Sequence, residues 1–253
     1  QVKNARMWNR VRRPELVKVF EDEVYGRIPD NVHAVAWHVT SEEKASLGGT
    51  PVVIRHLTGI VDNAACPEIS VEILAQVIWP DNGRKNMPVI LELSWMMTDS
   101  LHPFGQGIPW QQQVVERGWA AAQIVPGSIQ ADGGYGLREG IIGLCNQGQY
   151  RKPTDWGTLR AWGWGVSVLI DYFQGDDLFD AAKVAVEGVS RYGKAALVAM
   201  AFDRTHDTLI SGPDIISRGF VFVRENEDII EDSREVVRSI IDSYEHISSS
   251  DWP

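Results

Sequence analysis

The stretch Lys183-Val-Ala-Val-Glu-Gly-Val-Ser190-Arg-Tyr-Gly-Lys-Ala-Ala-Leu-Val-Ala-Met-Ala201 constrains this chain more than any other. Its first half is apolar and β-branched, which suits a buried strand. Its second half is built of strong helix formers. Between Gly188 and Gly193 the chain must turn sharply, and Ser190 falls at the apex. Such a bend lifts a hydroxyl off the sheet edge. The first amides of the following helix point at the same spot, where a developing negative charge is stabilised. Glycine on either side lets strand and helix backbones approach closely. A plainer reading fits the same six residues: an ordinary strand-to-helix turn whose serine caps the helix.

The surroundings of this stretch predict a layered α/β fold. Residues 11–25 read as a helix that stops at Gly26 and Pro29. Three β-rich runs follow, at 32–39, 51–57 and 70–79, separated by turn-forming loops. Residues 87–95 form a short apolar run, as in a strand buried on both faces. The loop 96–109 follows it; Trp95 at its edge and His102 within it could line a site, and a lone loop histidine also reads as plain surface. Residues 111–117 read as a helix and 118–126 as a second core strand, so the pair of strands is parallel with a right-handed crossover. Residues 127–153 have little periodicity, and a loop this long inside a domain is functional or hides structure.

Residues 154–173 place Leu159, Trp162, Val166, Leu169, Ile170 and Phe173 at helical spacing, with Thr154 or Asp155 able to cap the start. The glycines of this helix, at 157, 163 and 165, fit close packing against a sheet. Its tryptophans suit either that packing or the stacking of a sugar ring.

Composition removes several classes. The 253 residues are 44% hydrophobic and 23% charged, enough for a sizeable core. The net charge of −10 argues against nonspecific nucleic-acid binding, which needs a basic surface. No apolar run is long enough to span a bilayer, so no membrane partner is expected. Cys66 and Cys145 are too few to define a disulfide framework, and the sequence leaves their pairing open. Charge and tryptophan are unevenly placed. Residues 207–253 hold 11 acidic and 4 basic side chains, a balance of −7, and nine of the ten tryptophans lie at or before Trp164.

The string Gly-Val-Ser190-Arg191-Tyr-Gly-Lys194-Ala-Ala resembles the nucleophile motif of the glucuronoyl esterases, carbohydrate esterase family 15. The second glycine comes one residue later than in the usual Gly-x-Ser-x-Gly elbow of α/β-hydrolases. The Asp-Trp-Gly at 155–157 and the opening segment 20–29 resemble the same family, and the likeness covers about residues 8–203. It implies an α/β-hydrolase three-layer sandwich with a mixed, mostly parallel sheet over residues 1–205. It implies Ser190 as nucleophile, Arg191 as oxyanion stabiliser and Lys194 as a contact to the sugar hydroxyls, in a site that needs no metal or other cofactor. Without it, Arg191 and Lys194 read as an ordinary solvated helix face.

Residues 206–253 form an atypical acidic tail, so the C-terminal part of the fold is expected to be truncated or replaced by a small α+β unit. Over about 207–252 it resembles the C-terminal domain of the ribonuclease J family. The His-x-His-x-Asp-His signature of a metallo-nuclease is absent. An RNA-interaction role for the tail is opposed by its −7 balance. The tail reads as two short strands around a Gly-Pro turn, then a helix over 227–246. Only His206 and His246 follow Ser190, and Asp203 is the only carboxylate between Ser190 and His206. His246 ends an acidic helix, where a histidine compensates the helix dipole.

The expected activity is hydrolysis of (4-O-methyl)glucuronic acid esters in plant cell-wall lignin–carbohydrate linkages by a monomeric, secreted or periplasmic serine esterase. The partner implied is a glucuronoyl ester or glucuronoxylan. The alternative is an inactive hydrolase-like protein that binds glycan or uronate and lacks the triad's acid and histidine.

Overall fold

Strand pairing sets the position of everything else. In the computed structural model, which describes residues 2–95, 108–202 and 221–224, seven strands form one sheet in the order β1-β2-β3-β5-β4-β6-β7. They are β1 (Val35–Leu47), β2 (Thr50–Val61), β3 (Glu72–Pro80), β4 (Met87–Leu93), β5 (Ala120–Ile124), β6 (Phe179–Val189) and β7 (Val221–Arg224). The first three are antiparallel neighbours, and β3 also meets β5 antiparallel. The pairs β4–β5, β4–β6 and β6–β7 are parallel. The expected mixed sheet is therefore present, but among the described residues three neighbouring pairs are antiparallel and three parallel, so the parallel part is half of it rather than most.

The connections supply the layers. The helices are α1 (Ala5–Met7), α2 (Arg13–Phe20), α3 (Trp110–Glu116), α4 (Pro126–Ile129), α5 (Gly140–Cys145), α6 (Thr158–Gln174) and α7 (Arg191–Phe202). Helices α6 and α7 share one large core with the sheet, in which Trp162, Val166, Leu169 and Phe173 join Leu91, Leu93, Ile124 and Val186. Of the predicted stripe along α6, Trp162, Val166, Leu169, Ile170 and Phe173 are buried and Leu159 is partly buried against the same core. Gly163 allows the contact between the two helices, since a β-carbon there would sit 3.2 Å from the backbone nitrogen of Ala199. On the other face α3 packs Val115 against Leu47, Val52 and Ile78.

Several expectations need correction. Strand β1 runs on through Ser41-Glu-Glu-Lys-Ala-Ser46, a charged stretch outside the predicted strand. It pairs with β2 to the end, and its exposed side chains need no apolar face. The cap of α6 is Gly157, with no side-chain hydrogen bond. Asp155 instead accepts from the Lys152 amide, closing the turn before the helix. The long segment at 127–153 is structured: it carries α4, a 3-10 turn (Gly134–Gly136) and α5.

Cys66 and Cys145 are both free and buried, and burial pushes the Cys145 thiol up to about 11. Among the described residues no helix is long and apolar enough to cross a membrane. No three His, Cys, Asp or Glu side chains gather there as a metal site. In the tail, strand β7 extends the sheet beside β6. The first predicted tail strand, the helix over 227–246, the boundary at 205/206, and His102, Asp203, His206 and His246 lie outside the described residues.

Candidate active site

Ser190 has φ +58, one of three non-glycine residues with a positive φ among the described residues. This left-handed conformation costs a residue with a β-carbon of order 1 kcal/mol, and it persists only where the surroundings impose it. Here the surroundings are visible. Strand β6 ends at Val189, and α7 starts at Arg191. Ser190 alone makes the corner. Its carbonyl accepts the first helical bond, from the Lys194 amide at 3.2 Å. The amides of Arg191, Tyr192 and Gly193 precede that bond and so have no partner within the helix.

Gly188 is what lets the corner close. A β-carbon there would lie 2.6 Å from the Tyr192 carbonyl carbon and 2.9 Å from the Gly193 nitrogen. Both are backbone atoms that no rotamer change can move. The helix therefore starts nearly on top of the strand, and the side chain of Ser190 is exposed above them. Two strands over, β5 ends at Ile124, and between them β4 ends at Leu93, paired with Gly188. The carboxyl ends of parallel strands thus surround the serine, where ligands of α/β sheets bind.

Arg191 and Lys194 both expose their side chains, three positions apart on one face of α7. Tyr192 points the other way, into the core. It packs edge-on against Trp162 with centroids 5.1 Å apart, and Trp95 lies over it at 4.8 Å. Burial pushes the Tyr192 phenol up, Asp132 adding to the rise and Arg191 opposing it. The structure therefore brings Trp95 to the elbow. Of the tryptophans weighed for sugar stacking, Trp156, Trp162 and Trp164 are all buried. Packing is their role.

One site residue was missed. Asp132 belongs to an Asp-Gly-Gly-Tyr-Gly run inside the aperiodic stretch 127–153, a composition that suits flexible or turn-forming chain, yet its carboxylate pairs with the Arg191 guanidinium. The available signal was position: the run follows the end of a core strand, at the edge where the serine stands. The described histidines are elsewhere. His38 and His56 are on β1 and β2, and His33 precedes them, on the far side of the sheet order from β6.

Comparison with known proteins agrees with this geometry. Residues 66–211 match the family described as glucuronyl esterase, fungi. Residues 182–253 match the ribonuclease J C-terminal domain, so the two matches overlap across the elbow helix. A curated carbohydrate esterase from an unknown prokaryotic organism is 28% identical over 243 residues, covering 83% of this chain and 55% of that protein. Ribonuclease J2 of Bacillus subtilis is 43% identical over 56 residues, 22% of this chain and 10% of that one. Among solved structures, a glucuronoyl esterase of carbohydrate esterase family 15 from Teredinibacter turnerae superposes with a TM-score of 0.70 at 35% identity. It covers 79% of this chain and 50% of that one. The glucuronoyl esterase from Solibacter usitatus gives 0.67 at 29%, covering 80% of this chain and 57% of that one. The chain thus spans about half the length of the esterases it matches. A strained serine on a strand-to-helix corner, the mixed sheet beneath it and a match over more than half the sequence together establish that this chain belongs to the glucuronoyl esterase family.

Proposed function

We propose that this chain carries the nucleophile half of a serine esterase that hydrolyses esters of (4-O-methyl)glucuronic acid, the linkage being one between glucuronoxylan and lignin alcohols. The observation that carries the reading is Ser190, held at φ +58 above the first amides of α7 in a chain of this family. The Ser190 hydroxyl attacks the ester carbonyl while an imidazole takes its proton. The carbonyl oxygen becomes an oxyanion beside the α7 amides and the Arg191 guanidinium, which stays charged at any working pH. Collapse breaks the carbon–oxygen bond to the alcohol, which leaves with the proton. Water then attacks the acyl-serine and releases glucuronate. Lys194, one turn along the exposed face, offers donors to sugar hydroxyls. The substrate is a wall polymer, which fits a secreted or periplasmic enzyme.

The test is hydrolysis of benzyl glucuronate by the chain and by Ser190→Ala. Loss of a nucleophile of this type lowers turnover by about 10⁴-fold or more. Equal rates for the two proteins would sink the reading. One observation favours a second: none of the described histidines lies at the elbow edge. An inactive uronate binder would retain glucuronate in titration calorimetry, with no Ser190-dependent turnover.

A further inference from the structure

We infer that Asp132 is a positioning residue for Arg191: it holds the guanidinium beside the Ser190 corner, and the reaction's oxyanion step depends on that hold. The inference rests on the esterase reading and goes beyond it, because it assigns a role to a side chain outside the elbow.

Arg191 needs an external hold. Its backbone is fixed by the corner, but its side chain is long and 56% exposed. A long arginine side chain has many accessible rotamers, so a free one sweeps a wide volume. An oxyanion stabiliser must already be in place when charge develops. Asp132 supplies the constraint by accepting from one terminal nitrogen of the guanidinium. The planar fork has five N–H donors, so the others remain for a substrate oxygen.

A surface ion pair alone would contribute little. This one ends a rigid path. Two residues before Asp132, Gln130 is 1% exposed and fully engaged. Its side-chain nitrogen donates to the Gly136 carbonyl at 2.8 Å, and its side-chain oxygen accepts from the Ile142 amide at 3.0 Å. Its own carbonyl accepts from the Trp162 indole at 2.9 Å. Trp162 in turn packs on Tyr192, the residue after Arg191. The path closes on itself: corner, Tyr192, Trp162, Gln130, Asp132, Arg191. The carboxylate is therefore referenced to the same core that sets the serine. Glycines at 133 and 134 then let the chain turn away after Asp132.

The experiment compares the chain with Asp132→Asn, Asp132→Glu, Arg191→Gln and the double variant Asp132→Asn/Arg191→Gln on benzyl glucuronate. Asp132→Asn is expected to lower kcat by about 10- to 100-fold, less than outright loss of an oxyanion donor, with KM changed by less than about twofold. Asp132→Glu restores part of it. In the Arg191→Gln background, Asp132→Asn has no further effect, because its only route to the reaction is gone. Unchanged kcat in Asp132→Asn, or losses that multiply in the double variant, overturns the inference.

A second arm does not use turnover. The Arg191 guanidinium resonances, assigned by their loss in Arg191→Gln, should be resolved in the nitrogen-15 spectrum of the chain. In Asp132→Asn they should collapse through fast rotation. If the chain and Ser190→Ala hydrolyse equally, the esterase reading falls and this arm decides alone. Identical Arg191 spectra with and without the Asp132 carboxylate would then overturn the hold itself.

Discussion

At Ser190 the backbone works against the side chain it carries. Left-handed φ is free for glycine and costs a residue with a β-carbon of order 1 kcal/mol. The serine conformation at +58 is therefore held by its neighbours. Removing the hydroxyl while keeping the β-carbon leaves that cost in place, and removing the β-carbon relieves it. Ser190→Gly is thus expected to unfold about 0.5–1 kcal/mol later than Ser190→Ala, with both inactive, as measured by urea unfolding. The opposite order would show that the corner stores no backbone strain. The corner at Ser190 is legible in the sequence because its geometry follows from neighbours along the chain, whereas Arg191 and Lys194 stand out from a solvated helix face only through the family resemblance. Asp132 is not legible. Its partner is 59 residues away, and the glycines around it mark flexible or turn-forming chain without showing what the carboxylate faces. Glu187 was hidden differently: it lies inside an apolar strand yet is buried, level with Glu92 on β4, which accepts from Gln123 on β5. No periodicity within one strand reveals a polar row that runs across several.

Among the elements, α6 depends on packing for its existence. Its glycines lower helix propensity by about 1 kcal/mol each relative to alanine. What they allow is contact. A β-carbon at Gly165 would stand 2.2 Å from the Ile129 Cδ1 atom and 3.1 Å from its Cγ1, and Ile129 is fully buried in α4. Gly165→Ala therefore gains propensity and loses more to overpacking, about 1–3 kcal/mol. A net loss of about 1 kcal/mol is expected. Ile129→Val deletes the clashing atom. Alone it costs about 0.5–1.5 kcal/mol, and in the Gly165→Ala background it should cost distinctly less. Strict additivity in denaturant unfolding would mean that the two helices meet elsewhere. The sequence exposes this helix clearly, because its apolar residues recur along one face. It hides α4 and α5, which are too short to show a period, and it hides the far end of β1. There a charged stretch becomes strand only because β2 lies beside it.

For the whole molecule, the open question is what joins the antiparallel opening to the parallel half that carries the serine. Cross-strand hydrogen bonds do part of this through β3 and β5. Arg55 adds a tie that spans layers. Its guanidinium bonds Glu42 on β1 at 2.7 Å, the Tyr172 hydroxyl on α6 at 3.0 Å and Asp176 just past α6 at 2.6 Å, and it lies over the Trp79 ring on β3 at 4.8 Å. Burial pulls the Arg55 acidity one way. The bonds to Glu42, Asp176 and Tyr172 outweigh it, and the net shift is upward, so the charge stays in place throughout the working pH range. The side chain is 13% exposed, Asp176 is 21% and Glu42 is 45%. The Asp176 side of the tie is thus the better shielded, and the Glu42 side is partly screened by solvent. Arg55→Met keeps the stem and strands the Asp176 carboxylate. Discounting the exposed partner, it should cost about 2–3 kcal/mol. Arg55→Lys keeps the charge but cannot fork between partners on two layers, and should lose about half as much. Urea unfolding decides what the tie joins. A lowered midpoint with an unchanged slope means that the two halves unfold as one body and Arg55 only sets its stability. A shallower slope or a second transition in Arg55→Met means that the halves melt separately once the tie is cut. The first outcome is expected, because the core formed by β2 and β3 is continuous with that of β4, β5, α6 and α7.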